Sequence, residues 1–152
     1  SSIISNETEI FAMKKIVPIV NQFQNITILF DVPLYDSNPI SGNVHTIHEI
    51  TTITSTNFVN EFGEICNIED DGRGKLRLMS VSGAEHNMVK EIGTINYNEG
   101  ILTLNNFKPT NLLGNNIKIY AKPKSKDIFS KTNSILSIKE EDINISVEQI
   151  KE

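Results

Sequence analysis

His45 and His48 are the best candidates in this chain for catalytic or metal chemistry. His45 and His48 lie three positions apart, with Glu49 beside them. A helix would place both imidazoles on one face, but a strand places positions three apart on opposite faces, and the surrounding Thr and Ile residues favour a strand. His86 has no visible partner in the sequence around it. We therefore expect strand histidines rather than a metal site or an acid–base pair.

The single cysteine, Cys66, lies in an apolar stretch. It cannot form an internal disulfide, so we expect a reducing compartment or a chain that is indifferent to redox state. A nucleophilic cysteine needs a base and a positive potential nearby, whereas Glu64, Glu69 and Asp70 provide negative charge. We expect Cys66 to be a small buried side chain.

Residues 69–75 combine acidic residues with glycine and could be read as an ion-binding loop. They lack the alternating acidic ligands and the closing Glu of a twelve-residue calcium loop. They also fail as a phosphate loop, because Glu69 stands where the first Gly is needed and Leu76 where Ser or Thr would bind magnesium. We predict a turn between two strands, and no catalytic residue, cofactor or metal ion. The structural turn residues predicted in this segment are Asp70, Asp71, Gly72 and Gly74.

The net charge of −5 over 152 residues does not indicate a positively charged surface that would bind nucleic acid or anionic lipid. Lysines at 118, 122, 124 and 126 form a local basic run, which we interpret as the solvated face and exit of a strand, with a phosphate site as the alternative. No apolar run reaches the roughly 18 residues of a membrane span, and no signal-peptide pattern opens the chain. We therefore predict no nucleic-acid partner and no membrane partner. The chain begins with Ser, so we expect a processed protein or a piece of a longer one.

Alternation of apolar and polar residues with period two dominates the chain and is typical of strands. It is clearest over residues 26–34, where every even position is apolar, and over 143–148. Other short β-branched stretches are bounded by Gly, Asn, Asp or Pro, at 44–56, 64–68, 76–81, 92–97, 101–104, 117–121 and 135–138. No stretch between them is long enough for a crossover helix, so the fold class predicted is a mainly β, antiparallel β-sandwich-like domain with little helix.

Two glycines outside the acidic turn are also assigned structural roles. Gly100 ends the hairpin segment 97–101, where a left-handed residue after a type I turn returns the chain at low cost. Gly93 is assigned to the same class of structural turn residue. Residues 10–20 could begin a helix that Pro18 would break, and residues 125–132 could hold one helical turn. We expect a loosely attached segment over residues 1–24 and an antiparallel β domain over residues 25–152.

The order of several segments resembles a known family. The segments are ITS at 53–55 with Phe58, IEDDGRGKLRL at 68–78, IGTINYNEGILTL at 92–104, IKIYAKP at 117–123, SKDI at 125–128, NSILSI at 133–138 and DINI at 142–145. Together they resemble the C-terminal part of gene product six, the baseplate wedge protein family of T-even-type contractile-tailed phages, over roughly residues 50–148. The resemblance implies a non-catalytic scaffold in the virion tail baseplate, assembled in the host cytoplasm. Its implied partners are itself, as a homodimer, and other wedge proteins, with no active site to transfer.

The late alternating strand offers a candidate subunit interface at Ile143, Ile145 and Val147. Its apolar face must be covered, either by the sheet of its own domain or by a neighbouring subunit. Two other function classes stay open at this point. A carbohydrate- or receptor-binding β-sandwich of a tail protein is disfavoured because the chain has no Trp and only three Tyr to serve as aromatic platforms. A hydrolase is disfavoured because no nucleophile and base can be paired.

Overall fold

The computed structural model describes residues 11–36, 51–82 and 86–124, and the backbone of 145–149. These residues form ten strands and no helix. The strands are β1 Ala12–Ile16, β2 Gln24–Leu29, β3 Ile53–Ser55, β4 Phe58–Val59, β5 Ile65–Asp70, β6 Lys75–Ser80, β7 Asn87–Asn96, β8 Ile101–Phe107, β9 Ile117–Ala121 and β10 Ile145–Gln149. The prediction of a mainly β domain with little helix is confirmed for this part of the chain.

Nine of the strands form one continuous antiparallel sheet in the order β10–β2–β8–β7–β6–β5–β3–β9–β1, and β4 pairs with β5 beside this path. The sheet curves until it nearly closes on itself. Its closure comes from residues 30–35, which hydrogen-bond to the β7–β8 hairpin on one side and to residues 122–124 on the other. The predicted antiparallel pairing is confirmed, with one curved sheet in place of the two facing sheets of a sandwich.

The alternation of the sequence explains which face of each strand is buried. In β2, Ile26 and Ile28 are fully buried, whereas Asn25 and Thr27, which alternate with them, are half-buried. β9 repeats the pattern, with Ile117 buried next to the half-buried Lys118. Burial of these branched side chains stabilises the folded sheet, with each side chain typically contributing about 1.5–3 kcal/mol. The largest fully buried side chains are Ile16, Ile26, Ile28, Leu34, Ile53, Phe58, Ile68, Leu76, Leu102, Leu104, Ile117 and Ile119.

Two element predictions need correction. The strand expected over residues 26–34 ends at Leu29, because Asp31 adopts a left-handed conformation with φ of 63° that turns the backbone. The helix start considered for residues 10–20 is strand β1, since Ala12–Ile16 pairs in register with β9 and Ile16 is fully buried. The boundary drawn at residue 24 therefore does not separate β1 from the sheet.

Several predicted features lie outside the described residues. They are the strand over 135–138, the helical turn over 125–132, most of the stretch 44–56, the histidines at 45 and 48, and Ile143.

Candidate interaction surface

The carboxylate of Asp70 is fully buried at the end of β5 and accepts four hydrogen bonds. Its Oδ1 accepts from the backbone N–H groups of Thr52 at 2.6 Å and Ile53 at 2.9 Å. Its Oδ2 accepts from the hydroxyl of Tyr97 at 2.5 Å and from the backbone N–H of Gly72 at 3.2 Å. One side chain thus joins β3, the β5–β6 turn and the end of β7.

Burial raises the pKa of the Asp70 carboxyl above its ordinary value of 3.8. The hydrogen bonds from Tyr97, Ile53, Thr52 and Gly72 favour the ionised form and offset part of that rise. Burial and the neighbouring Asp70 charge both raise the pKa of Tyr97, so its hydroxyl stays a donor at neutral pH. This arrangement satisfies a buried charge and cross-links the fold.

The other residues predicted for the acidic turn lie in that turn. The N–H of Asp71 donates to the carbonyl of Lys75 at 3.0 Å, and Asp71 Oδ1 accepts from the N–H groups of Arg73 at 2.7 Å and Lys75 at 3.0 Å. Gly72 and Gly74 have φ of 77° and 98°, the left-handed region that glycine enters without penalty. The Asp71 carboxylate is therefore occupied by the backbone of its own turn.

Gly100 lies in the β7–β8 turn with φ of 70°, and its N–H donates to the carbonyl of Asn96 at 2.9 Å. The assignment of Gly93 as a turn residue is wrong, because Gly93 lies inside strand β7. A Cβ at Gly93 would overlap the carbonyl oxygen of Thr103 in β8. Close approach of a neighbouring backbone is the reason for glycine at this strand position.

The late strand predicted as a candidate subunit interface pairs within its own chain. Ile145 lies opposite Ile28 and Val147 opposite Ile26, which makes β10 the neighbour of β2 in the sheet. The other edge of β10 ends the strand order among the described residues. A contact of this strand with a second subunit stays a prediction.

The described histidine, His86, and the cysteine, Cys66, do not form a common site. Nε2 of His86 lies 2.9 Å from Glu69 Oε2, a pair that sequence spacing did not reveal. Cys66 is buried, and desolvation together with the charge of Glu64 raises its pKa to about 12, so the thiol stays protonated near neutral pH.

Among the described residues, no group of three or more His, Cys, Asp or Glu side chains is placed to hold a metal ion. The same part of the chain contains no helix with the length and apolarity needed to cross a membrane.

Exposed apolar residues collect at one end of the sheet. Three connections meet there, because Ile16 pairs with Ile117, Gln24 with Phe107 and Val59 with Asn111. Five exposed large apolar side chains lie on these connections, and we call this surface the apolar end: Val17, Ile19, Val20, Phe62 and Leu113.

Two further exposed apolar residues, Ile65 and Met88, lie at the starts of β5 and β7, the two strands that flank β6, at the same end. Of the eight exposed large apolar residues in the described ranges, only Tyr35 lies elsewhere. Its N–H donates to the carbonyl of Lys122, beside the β7–β8 turn at the opposite end of the sheet. Such a concentration on one surface is typical of an interaction site.

A side-chain amide holds each connection of the apolar end. Buried Gln24 both donates to the carbonyl of Ile19 at 2.7 Å and accepts from its N–H at 3.1 Å. Buried Asn60 accepts from the N–H of Phe62 at 2.8 Å. The apolar side chains are therefore presented on fixed backbone, which lowers the entropy cost of binding a partner.

Asn111 completes the set by accepting from the N–H of Leu113 at 2.8 Å. Sequence reasoning missed the apolar end because its residues come from three separate connections. The signal in the sequence was an Asn two positions before an apolar residue, as in Asn60 to Phe62 and Asn111 to Leu113, which is the spacing of an Asx-turn.

Comparison with known proteins gives no match. No protein-family model, no curated protein and no solved structure matches the chain.

Proposed function

We propose that this chain is a structural module of the baseplate wedge of a contractile-tailed phage. It works through contacts with a second copy of itself and with other wedge proteins, in the tail baseplate of the virion. The family assignment is supported by the ordered sequence resemblance over roughly residues 50–148. Three of the resembling segments, 68–78, 92–104 and 117–123, contribute to strands β5 to β9.

The roles of the residues in those segments support a scaffold. Asp70 and Tyr97 form the buried hydrogen-bonded pair. Gly93 allows β8 to approach β7, and Gly100 allows the hairpin to lie against Val32. These residues hold strands together, as expected for a module with a structural role.

The apolar end is the observation that carries the proposal. Val17 and Phe62 expose 64% and 61% of their surface. Exposed apolar side chains that are concentrated on one surface are typical of a protein–protein interaction site. Aromatic and aliphatic side chains on a rigid backbone are the usual anchors of a protein–protein interface. A sugar site would instead need aromatic platforms, and in the part of the chain that the structure describes Phe62 is the one exposed aromatic side chain of this end.

The experiment is localisation in purified particles. An antibody against this chain, followed by gold labelling and electron microscopy, should mark the tip of contractile tails. Quantitative mass spectrometry of the same particles should find the chain in fixed ratio to the tail proteins. Absence from the particles, or specific binding of the purified chain on a sugar array, would contradict the proposal.

A further inference from the structure

We infer that the apolar end docks a segment of another protein in which apolar side chains are flanked by aspartate or glutamate. This inference deepens the proposed function, on which it rests for the setting of a multi-protein assembly. It concerns the chemistry of the partner, which follows from the charges and the backbone of the apolar end.

The charges of the apolar end favour an acidic partner. Lys108 and Lys118 have no carboxylate partner among the described side chains, and the Lys108 ammonium lies 4.7 Å from the ring centroid of Phe23. Lys90 is neutralised by Glu61 at 3.1 Å. Two lysines next to apolar anchors are thus available for carboxylates, in a chain whose net charge is −5.

The carboxylates at the same end disfavour a lipid surface as the occupant. Glu61 precedes the exposed Phe62, and Glu64 precedes the exposed Ile65. Phe62 carries the neutralised Glu61–Lys90 pair beside it, but Ile65 cannot enter an anionic bilayer without bringing the Glu64 carboxylate, which has no cationic partner among the described side chains, close to the phosphates. A protein surface can accommodate Glu61 and Glu64 individually at the polar rim of an interface.

A second copy of this chain is disfavoured at this end by the same charges. Two copies placed end to end would enclose four lysines without a described carboxylate partner, Lys108 and Lys118 of each copy, in one interface. Like charges in a partly desolvated contact oppose association. The self-pairing expected from the resemblance therefore uses a different surface.

Leu113 provides an independent indication that the apolar end binds a partner. It is 51% exposed and adopts a left-handed backbone conformation with φ of 57°. A leucine is strained in this region and gains little burial here in return, whereas Asn or Gly would fit without strain. An exposed apolar residue in a strained conformation favours a binding role for this position over a role in the core.

The test uses the full chain and a display library of random twelve-residue peptides. Selection on the wild type, with removal of peptides that also bind an Ile19→Ser/Phe62→Ser double variant, isolates ligands of the apolar end. Tyr35→Ser is the matched control, because it removes an exposed apolar side chain at the opposite end. Circular dichroism and melting curves confirm that each variant is folded.

We expect the selected peptides to combine aromatic or aliphatic residues with Asp or Glu. Their affinity should fall about tenfold or more in the double variant and in Leu113→Asn, since loss of an interface anchor has an effect of this size. It should be unchanged in Tyr35→Ser, and Lys108→Glu should weaken binding by about threefold to tenfold and reduce its salt dependence.

Four outcomes would overturn the inference. One is that no selected peptide distinguishes the wild type from the double variant, and another is that the selected peptides are basic. The third is binding to vesicles of equal parts phosphatidylcholine and phosphatidylserine that the double variant loses, which would assign this end to a membrane. The fourth is self-association in sedimentation that the double variant loses, which would assign it to a second copy. Gold labelling of tails is independent of all four, so this inference and the proposed function can fail separately.

Discussion

The hydroxyl of Tyr97 donates a 2.5 Å hydrogen bond to the carboxylate of Asp70, and the two residues are 27 positions apart in the chain. The same hydroxyl oxygen accepts from the N–H of Gly74 at 3.3 Å. The pair therefore connects the last residue of β5, the turn after it and the end of β7. Both side chains are buried, so solvent does not replace the bond when it is lost.

Replacement of Tyr97 by Phe tests the energetic role of this bond. The change leaves Asp70 Oδ2 with the weaker contact from Gly72 and removes the acceptor of the Gly74 N–H. We expect a loss of about 1–3 kcal/mol in the free energy of unfolding, measured with urea. Tyr120→Phe is the control, because no hydrogen bond of the Tyr120 hydroxyl occurs among the described residues, and it should change stability by less than about 0.5 kcal/mol. Equal decreases in the free energy of unfolding of the two variants would show that the hydrogen bond of Tyr97 makes no particular contribution to stability.

The raised pKa of Asp70 predicts a pH dependence with a definite sign. Because burial raises the folded-state pKa above the ordinary value of 3.8, the folded protein binds this proton more tightly than the unfolded chain does. The resulting stabilisation is complete below the ordinary value and is lost as pH rises through the folded-state pKa. The free energy of unfolding of the wild type, minus that of Asp70→Asn, should therefore grow as pH falls from about 7 to about 4.

Urea unfolding of both proteins at several pH values provides this measurement. The other carboxyl groups are common to the two proteins, so their contributions cancel in the difference. Asp70→Asn should also be the less stable protein at neutral pH, because its amide NH₂ would face the N–H of Gly72. A difference that is constant with pH, or that shrinks on acidification, would contradict the raised pKa.

Gly100 combines a left-handed backbone with a close neighbour. A Cβ at this position would overlap the carbonyl oxygen of Val32, a contact that no substitution avoids. Gly100→Asn is therefore expected to cost about 2 kcal/mol or more, although Asn tolerates the left-handed region. Turn geometry alone predicts a different result, in which Asn costs far less than Val.

Gly63 is the matched control for Gly100. It has φ of 83°, and a Cβ added to it would have no atom within 4 Å. Gly63→Asn should change the free energy of unfolding by less than about 1 kcal/mol. Similar losses for the two Asn variants would show that conformation alone, and not the contact with Val32, decides the cost.

Leu113 should show a trade-off between stability and binding. Leu113→Asn relieves the left-handed strain and removes little buried surface, so we expect stability to stay the same or rise by up to about 1 kcal/mol. Val17→Asn, at a position without a positive φ, should give no such gain. A clear loss of stability in Leu113→Asn would show that the leucine supports the fold rather than a partner.

Local features of the fold could be predicted from the sequence and distant ones could not. The strand at Ile117–Ala121 and the left-handed Gly100 follow from alternation and turn chemistry within a few residues. The pairing of Asp70 with Tyr97, and of His86 with Glu69, depends on strand register, which local spacing does not determine.

The apolar end shows the same limit for the candidate site. Each of its connections reads as an ordinary loop, and only the sheet order brings them together. In the segment containing β1, the lysines and Met13 are compatible with a helix start as well as with a strand, and the pairing with β9 decides between them.

Incorporation into tail baseplates tests the central claim, that this chain is a scaffold positioned by its apolar end, most directly. In cells infected by a phage that lacks its own copy, the wild-type chain and Tyr35→Ser should restore baseplates and be found in them by quantitative mass spectrometry. The folded Ile19→Ser/Phe62→Ser variant should be absent from baseplates, and the particles should be incomplete. Normal incorporation of that variant, or complete particles formed without the chain, would contradict the account.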